Sequence, residues 1–231
     1  MKIFRRQNIM KEESFLNKIL SIIKSLIPRR IFSVLAPYYH YALSLAGTLY
    51  YKMPSRKIDI VMVTGTKGKT TTIEMVNQAL EEAGFKTALS STLRFKIGEK
   101  SVRNKFKMTV QGRFFLQRFL HNAVKKDCDW AIIEMTSEGA RQYRHKFIDF
   151  NALIFTNLSP EHIESHGSYA AYREAKLSIA RALEKSNKSR RMIIANADDK
   201  ESPKFIKCHI PEKYSFSLKD ISNLKLGEQN I

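Results

Sequence analysis

The sequence predicts an α/β protein: a mostly parallel β-sheet flanked by helices, with a glycine-rich turn at one strand end and a helical segment ahead of it. Three observations carry this. From residue 58 onward, apolar runs bounded by turn residues alternate with helical stretches, the pattern of a parallel sheet covered on both faces. The stretch Gly65-Thr66-Lys67-Gly68-Lys69-Thr70 falls where the first run meets the first helix. Residues 1–57 differ in composition, being basic and apolar with helical periodicity. A chain of 231 residues is long enough for one such domain with an appendage.

In the first segment, Phe15, Ile19, Ile22 and Leu26, with Leu16, Leu20, Ile23 and Ile27, recur at helical spacing and form one apolar face, which Pro28 ends. Lys18, Lys24, Arg29 and Arg30 lie off or beyond that face. Ile31 to Tyr51 follows, 21 residues without Lys, Arg, Asp or Glu, long enough to span a bilayer. Pro37, His40 and several hydroxyl side chains make it only moderately apolar. Eight Lys/Arg precede it; by the positive-inside rule a single span would export everything after residue 52, the glycine-rich turn included. Three readings stand: a span, a basic amphipathic anchor in the membrane interface, and a helical hairpin packed on the main domain. A cleavable signal peptide is excluded, because the apolar part begins late and lacks a small-residue cleavage site.

Residues 58–200 form the main domain. The runs IDIVMV, KTALSS, DWAIIEM, ALIFTN and RMIIANA read as strands, and Thr70–Ala83, Arg113–Val124 and Tyr169–Leu183 as helices. Met75, Ala79, Leu80 and Ala83 are expected on the inward face of the first helix, with Gly84 as its stop. Residues 201–231 lose periodicity and are expected to end this domain or begin a further one. Lys and Arg number 40 against 22 Asp and Glu, leaving +18, and half of that excess lies in residues 1–58. Such a field favours anionic partners, whether nucleotides, lipid head groups or nucleic acid. Nucleic acid is not expected, since no aromatic-interleaved basic motif accompanies the charge. Cys128 and Cys208 lack metal-type spacing and read as idle thiols in a reducing cytosol.

At the glycine-rich turn, backbone N–H groups at a helix N-terminus favour an anion, Lys69 adds a full charge, and the Thr70 hydroxyl can hold Mg²⁺. Val63 stands where the full Walker pattern wants a further glycine, so a purely structural turn stays open at this point. Glu134 closes the run DWAIIEM at the same sheet edge and is either a metal carboxylate or a solvated strand end. The stretch FTNLSPEHIESHGSYAAYREAK delivers Asn157 from a strand end, His162 and His166 from a loop, and Lys176 from the next helix. Taken separately, such a histidine or lysine is ordinary polar surface.

Together, GTKGKTTT, EMTSEGARQYR, FTNLSPEHIESHGS, YREAK and NADD resemble, in order and spacing, the central ATPase domain of the Mur ligases, which build the peptide of the bacterial cell wall. The resemblance covers about residues 58–200 and is nearest the MurE-type branch, which adds the third residue. It implies a P-loop NTPase-like fold and a reaction in which ATP phosphorylates a UDP-MurNAc-peptide carboxylate, and an amino acid's amine attacks the acyl phosphate. It further implies ATP contacts at Gly65, Thr66, Lys67, Gly68, Lys69, Thr70, Thr71 and Asn157, with Lys69 steadying the transferred phosphoryl group. Thr70 and Glu134 would hold one Mg²⁺, and His162 would help hold a second. Lys176 matches the family lysine that CO₂ converts to a carbamate, an anionic metal ligand. Ser137, Gln142 and Arg144 fall where relatives contact the muramoyl-peptide, Arg144 pairing with its carboxylate or phosphate, and Thr109 matches a substrate-contacting threonine.

Several features depart from that pattern. Lys67 replaces the usual asparagine or threonine, as in the folylpolyglutamate synthetase branch, and Glu138 replaces a histidine. The uridine-binding domain is expected to be absent, with residues 1–57 in its place, and the C-terminal domain that binds the amino acid to be missing. The expectation is therefore a partial ligase, binding ATP weakly by itself, in the cytoplasm, and at the inner face of the membrane if residues 15–51 meet lipid. The alternatives are a silent, membrane-held nucleotide-binding module and a folylpolyglutamate-type ligase.

Overall fold

The structure is a computed structural model describing residues 29–105, 109, 114–161 and 163–220, the side chains of residues 29–34 excepted. The apolar face expected between Phe15 and Ile27 and the candidate ligand His162 lie outside the described residues. The chain divides into two units, Met1–His40 and Tyr41–Ile231.

Helix α1 covers Arg29–Tyr50 with Pro37 inside it. Within the second unit its last turns pack through small and hydroxyl residues. Ser44 Oγ donates to the Tyr143 carbonyl at 2.9 Å, and Gln117 Nε2 donates to Thr48 Oγ1 at 2.8 Å. A Cβ on Gly47 would come within 2.5 Å of the Phe114 ring, so only glycine permits this approach. Among the described residues, no helix is long and apolar enough to cross a membrane.

The main domain runs β1 (Asp59–Thr64), α2 (Lys69–Glu82), β2 (Thr87–Ser90), β3 (Arg94–Ile97), β4 (Lys100–Arg103), α3 (Phe115–Val124) and β5 (Trp130–Glu134). It continues with α4 (Ser137–Arg141), β6 (Ala152–Phe155), α5 (Ile163–His166), α6 (Tyr169–Glu184), β7 (Met192–Asn196), α7 (Ser202–Ile206) and β8 (Glu212–Phe216). The eight strands form one sheet in the order β4-β3-β2-β5-β1-β6-β7-β8. All pairings are parallel except those of β3 with β2 and β4. The five strands read from apolar runs are all present, and the sheet is mostly parallel as expected. The β3–β4 hairpin and the segment 202–216, for which no element was expected, extend it at both edges. β3 is largely half-buried and β4 and β8 are exposed along nearly their whole length, so none carries a continuous apolar run.

Alternation along β1 sends side chains to opposite faces. Val61 and Val63 join Leu89, Ile132 and Ile154 beneath Ile73 of α2, while Ile60 and Met62 join Ile133, Leu153 and Phe155 beneath α3 and α6. The face that α2 buries differs from the expected one. Met75 is 68% exposed and Ala79 and Ala83 are exposed, whereas Ile73, Val76, Asn77 and Leu80 point to the sheet. Those four follow i, i+3, i+4, i+7 spacing, but the polar Asn77 hides the stripe. Its burial is offset by hydrogen bonds, accepting from Thr87 Oγ1 at 2.7 Å and donating to Glu81 Oε2 at 2.8 Å.

β1 sits at the topological centre. The chain leaves it toward β2 on one side and leaves β6 toward β7 on the other, so the carboxyl ends of β1 and β6 frame a switch point, where α/β sheets form crevices. Register places Val63 level with Glu134 and Thr64 level with Phe155.

His145 lies just beyond α4, fully buried, with Nε2 3.4 Å from Ser178 Oγ. Burial, reinforced by Lys146, pushes its imidazole down to about 3. The unfolded chain therefore binds a proton at this group that the folded chain refuses, from the ordinary value of 6.5 downward. Stability supplied by the neutral imidazole is complete above pH 6.5 and is lost on acidification. Urea unfolding between pH 6.5 and 5, above the carboxylate range, is expected to show stability falling by up to about 1.4 kcal/mol per pH unit, and His145→Gln to flatten that slope.

Candidate functional site

The crevice is built first by backbone. Gly65 has φ 155, and a Cβ there would lie 1.9 Å from Thr156 Oγ1, so the turn can press against the end of β6 only as glycine. Gly68, at φ 78, is the N-cap of α2. Between them the turn is clamped. The Thr66 N–H donates to the Asn157 carbonyl at 2.8 Å, and Thr66 Oγ1 meets the Tyr172 hydroxyl at 3.0 Å. The Asn157 side chain accepts from the Lys67 N–H at 2.9 Å and donates to the Lys67 carbonyl at 3.1 Å; Thr156 Oγ1 adds a bond to the same carbonyl at 2.8 Å. The first N–H groups of α2, those of Lys69, Thr70 and Thr71, have no acceptor within the helix. They are an anion cradle at the positive end of its dipole.

Charged side chains converge on this turn. Glu134 is 2% exposed; its Oε2 accepts from the Thr92 N–H at 2.7 Å and from the Thr70 hydroxyl at 3.2 Å. Lys69 Nζ donates to the Thr66 carbonyl at 2.8 Å, and burial lowers its pKa against the opposing pull of Glu134 and Glu161. Lys176, 1% exposed, donates to the Gly65 carbonyl at 2.5 Å and lies 4.9 Å from the centre of the Tyr172 ring. Burial pushes its amine down to about 7, Lys69 acts in the same direction, and Glu134 and Glu161 oppose. The Lys67 ammonium forms an exposed pair with Glu161 at 3.7 Å, of little energetic weight.

The donor set suits a hard cation. Two oxygens bound to one octahedral magnesium at 2.0–2.1 Å sit about 2.9 Å apart, and Thr70 Oγ1 and Glu134 Oε2 are 3.2 Å apart. No group of three or more His, Cys, Asp or Glu that could hold a metal occurs among the described residues. The pair instead fits magnesium's habit of taking one or two protein oxygens and completing its shell with phosphates and water. Lys176 as an amine is a donor, and becomes a metal ligand only if carboxylated.

The residues expected on the substrate side fall into two groups. Ser137 Oγ lies 3.1 Å from His166 Nε2, whose ring packs edge-on against Tyr172, so this serine joins the crevice. Thr109 Oγ1 meets Thr92 Oγ1 at 2.9 Å, beside the N–H that holds Glu134. Gln142 and Arg144 instead bond each other: Arg144 Nε and a terminal guanidinium nitrogen donate to Gln142 Oε1 at 3.0 and 2.7 Å, and Gln142 Nε2 donates to Glu138 Oε1 at 2.7 Å. Glu138, the departure noted in the sequence, thus orients this pair.

Sequence reasoning missed Tyr172, Thr92, Thr156 and Glu161. Tyr172 was findable, because it stands one turn before Lys176 on the same helix face. Thr92 acts through its backbone and leaves no local signal.

Comparison with known proteins shows the family. The Mur ligase middle domain family matches residues 63–230. A UDP-N-acetylmuramoyl-L-alanyl-D-glutamate--2,6-diaminopimelate ligase of Syntrophomonas wolfei is 32% identical over 190 residues, 82% of this chain and 38% of that protein. A UDP-N-acetylmuramyl-tripeptide synthetase of Roseiflexus is 35% identical over 173 residues, 71% of this chain and 34% of that protein. Among solved structures, a UDP-N-acetylmuramoyl-L-alanyl-D-glutamate--2,6-diaminopimelate ligase superposes with TM-score 0.59 at 27% identity, covering 70% of this chain and 32% of the other. A Mycobacterium tuberculosis folylpolyglutamate synthase complexed with ADP shares the fold, at TM-score 0.54 and 13% identity over 76% of this chain and 46% of that one. The chain thus spans little more than a third of the length of these curated relatives.

Gly65→Ala is expected to destabilise the protein by about 1–3 kcal/mol in urea unfolding, the usual result of forcing atoms into a filled site. Adding Thr156→Ala, which removes the nearest clashing atom, should recover part of that loss.

Proposed function

The chain belongs to the Mur ligase family, and we propose that it carries the nucleotide-activating centre of an ATP-dependent amide ligation in peptidoglycan precursor synthesis. The observation that carries this reading is one crevice in which the N-terminus of α2, Lys69, the Thr70–Glu134 oxygen pair and the buried Lys176 amine meet. In the proposed reaction a carboxylate oxygen of a UDP-MurNAc-peptide takes the γ-phosphoryl group of ATP, releasing ADP. The amine of an amino acid then attacks the acyl carbon, phosphate leaves, and an amide remains. ATP supply sets this in the cytoplasm.

Phosphoryl transfer of this kind rests on positioning and charge neutralisation, with no protein nucleophile. The N–H groups of Lys69, Thr70 and Thr71 and the Lys69 ammonium would face the phosphate oxygens, while Asn157 and Thr156 keep the turn in shape. Thr70 and Glu134 would hold Mg²⁺, which supplies further neutralisation of the phosphates; His162 is proposed at a second metal. Lys176 suits carboxylation: its pKa, pushed to about 7, leaves much of the amine neutral near neutral pH, and a neutral amine adds to CO₂ to give a carbamate and a proton. A donor beside the metal pair then becomes an anionic oxygen ligand. Ser137, Gln142, Arg144 and Thr109 are assigned to the muramoyl-peptide, with Arg144 pairing to its carboxylate or phosphate.

In an assay of the full chain with ATP, magnesium and muramoyl-peptide, Lys69→Ala should lower turnover by roughly 10²–10³, the scale of losing one transition-state donor. Unimpaired turnover in that variant would refute the role of Lys69. Incubation with ¹³C-bicarbonate should give a carbamate resonance that Lys176→Ala abolishes, and short carboxylates should partly restore that variant. Folate offered in place of the muramoyl-peptide is expected to support no ligation.

A further inference from the structure

Helix α1 is turned the wrong way round for a helix resting on a domain in water. From Tyr41 on, the residues facing the domain are small or hydroxyl-bearing: Ser44, Gly47 and Thr48 are buried. The residues facing outward are large and apolar. Leu45, Leu49 and Tyr50 are 37%, 55% and 76% exposed, Ala42 and Ala46 between them are exposed as well, and Tyr41 at the start is 46% exposed with its ring edge resting on Tyr143 and Phe147. These six follow i, i+1, i+4, i+5, i+8, i+9 spacing, which on a helix is one unbroken stripe. No charged side chain occurs anywhere from Ile31 to Tyr51. A surface helix ordinarily shows water its polar face, and a continuous exposed apolar strip marks a contact surface.

The end of the stripe is basic. The Tyr51 ring packs 5.4 Å from that of His121, and Lys125, Lys52 and Lys57 lie near enough to add to the effect of burial in lowering the His121 pKa. Tyrosines at both ends of an aliphatic strip, with lysines beyond, are what the boundary between head groups and acyl chains selects. A protein partner fits less well, because lysine is depleted at protein interfaces. The absence of a membrane-crossing helix among the described residues leaves a helix lying on the surface.

We infer that the outward stripe of α1 from Tyr41 to Tyr50 docks on an anionic phospholipid surface, with Lys52, Lys57 and Lys125 set toward its phosphates. The inference stands apart from the ligase reading, since none of these residues lines the crevice.

Flotation of the full chain with vesicles of phosphatidylcholine, alone or mixed with phosphatidylglycerol, tests it. Binding should require phosphatidylglycerol and weaken as salt rises. Leu45→Asp/Leu49→Asp should reduce partitioning about tenfold or more, and each of Lys52→Gln, Lys57→Gln and Lys125→Gln about fivefold, with far-ultraviolet circular dichroism unchanged. Independently of those variants, Tyr50→Trp should show a blue-shifted emission on phosphatidylglycerol vesicles. Failure to float with either vesicle, equal flotation of the aspartate variant, or no shift at Trp would overturn the inference. So would a dimer that forms without lipid and falls apart in the aspartate variant, which would give the stripe to a second copy of the chain.

Discussion

A lysine with almost no access to water cannot rest as an unpaired cation, and the crevice is organised around that constraint at Lys176. The Gly65 carbonyl takes its proton donor, the Tyr172 ring lies alongside, and Glu134 supplies opposing charge. The carbonyl can be there only because residue 65 lacks a Cβ, and the turn stays there because Thr66 is tied to Tyr172, one turn from Lys176 on α6. A single helix therefore carries both the group that needs neutralising and the hydroxyl that fixes the loop neutralising it. The packing of α6 on β6 is as much part of the site as the glycine-rich turn.

The turn after α4 is held differently. Gln142 and Arg144 are fixed by each other and by Glu138, and the residue between them, Tyr143, adopts a left-handed backbone with φ 55. The Tyr143 carbonyl accepts from Ser44, and its ring meets Tyr41 edge-on. Ser44 and the inward edge of Tyr41 thus brace the turn between Gln142 and Arg144, while the rest of the apolar stripe faces away from it.

Much of this was legible in the sequence where the signal is local. Five central strands could be read because each carries an apolar run, on β5 and β6 buried on nearly every residue, and Glu134 and Asn157 could be placed because a strand end at a switch point faces the crevice. The glycine turn was legible for the same reason, since positive φ at a strand-to-helix junction demands glycine. The buried face of α2 was not, because Asn77 satisfies its amide with Thr87 and Glu81 and so passes for a surface residue. The hairpin and β8 escaped because edge strands keep one side in water and mix charge with apolar side chains. Thr92 escaped because its importance is tertiary, acting through a backbone N–H that meets Glu134. For α1 the sequence left an interfacial anchor and a packed hairpin side by side, because its apolar residues do not by themselves say which face meets the domain.

The strand order has a consequence for how the protein is made. β1 is the middle of the sheet, yet its two neighbours begin at Trp130 and Ala152. On the ribosome, the most buried strand emerges first and waits for both partners, with apolar side chains on both sides and unsatisfied backbone edges. Until synthesis passes Phe155 the nascent chain can bury α2 on only part of a sheet. During that interval the apolar faces and open edges of β1 are the kind of surface that chaperones cover.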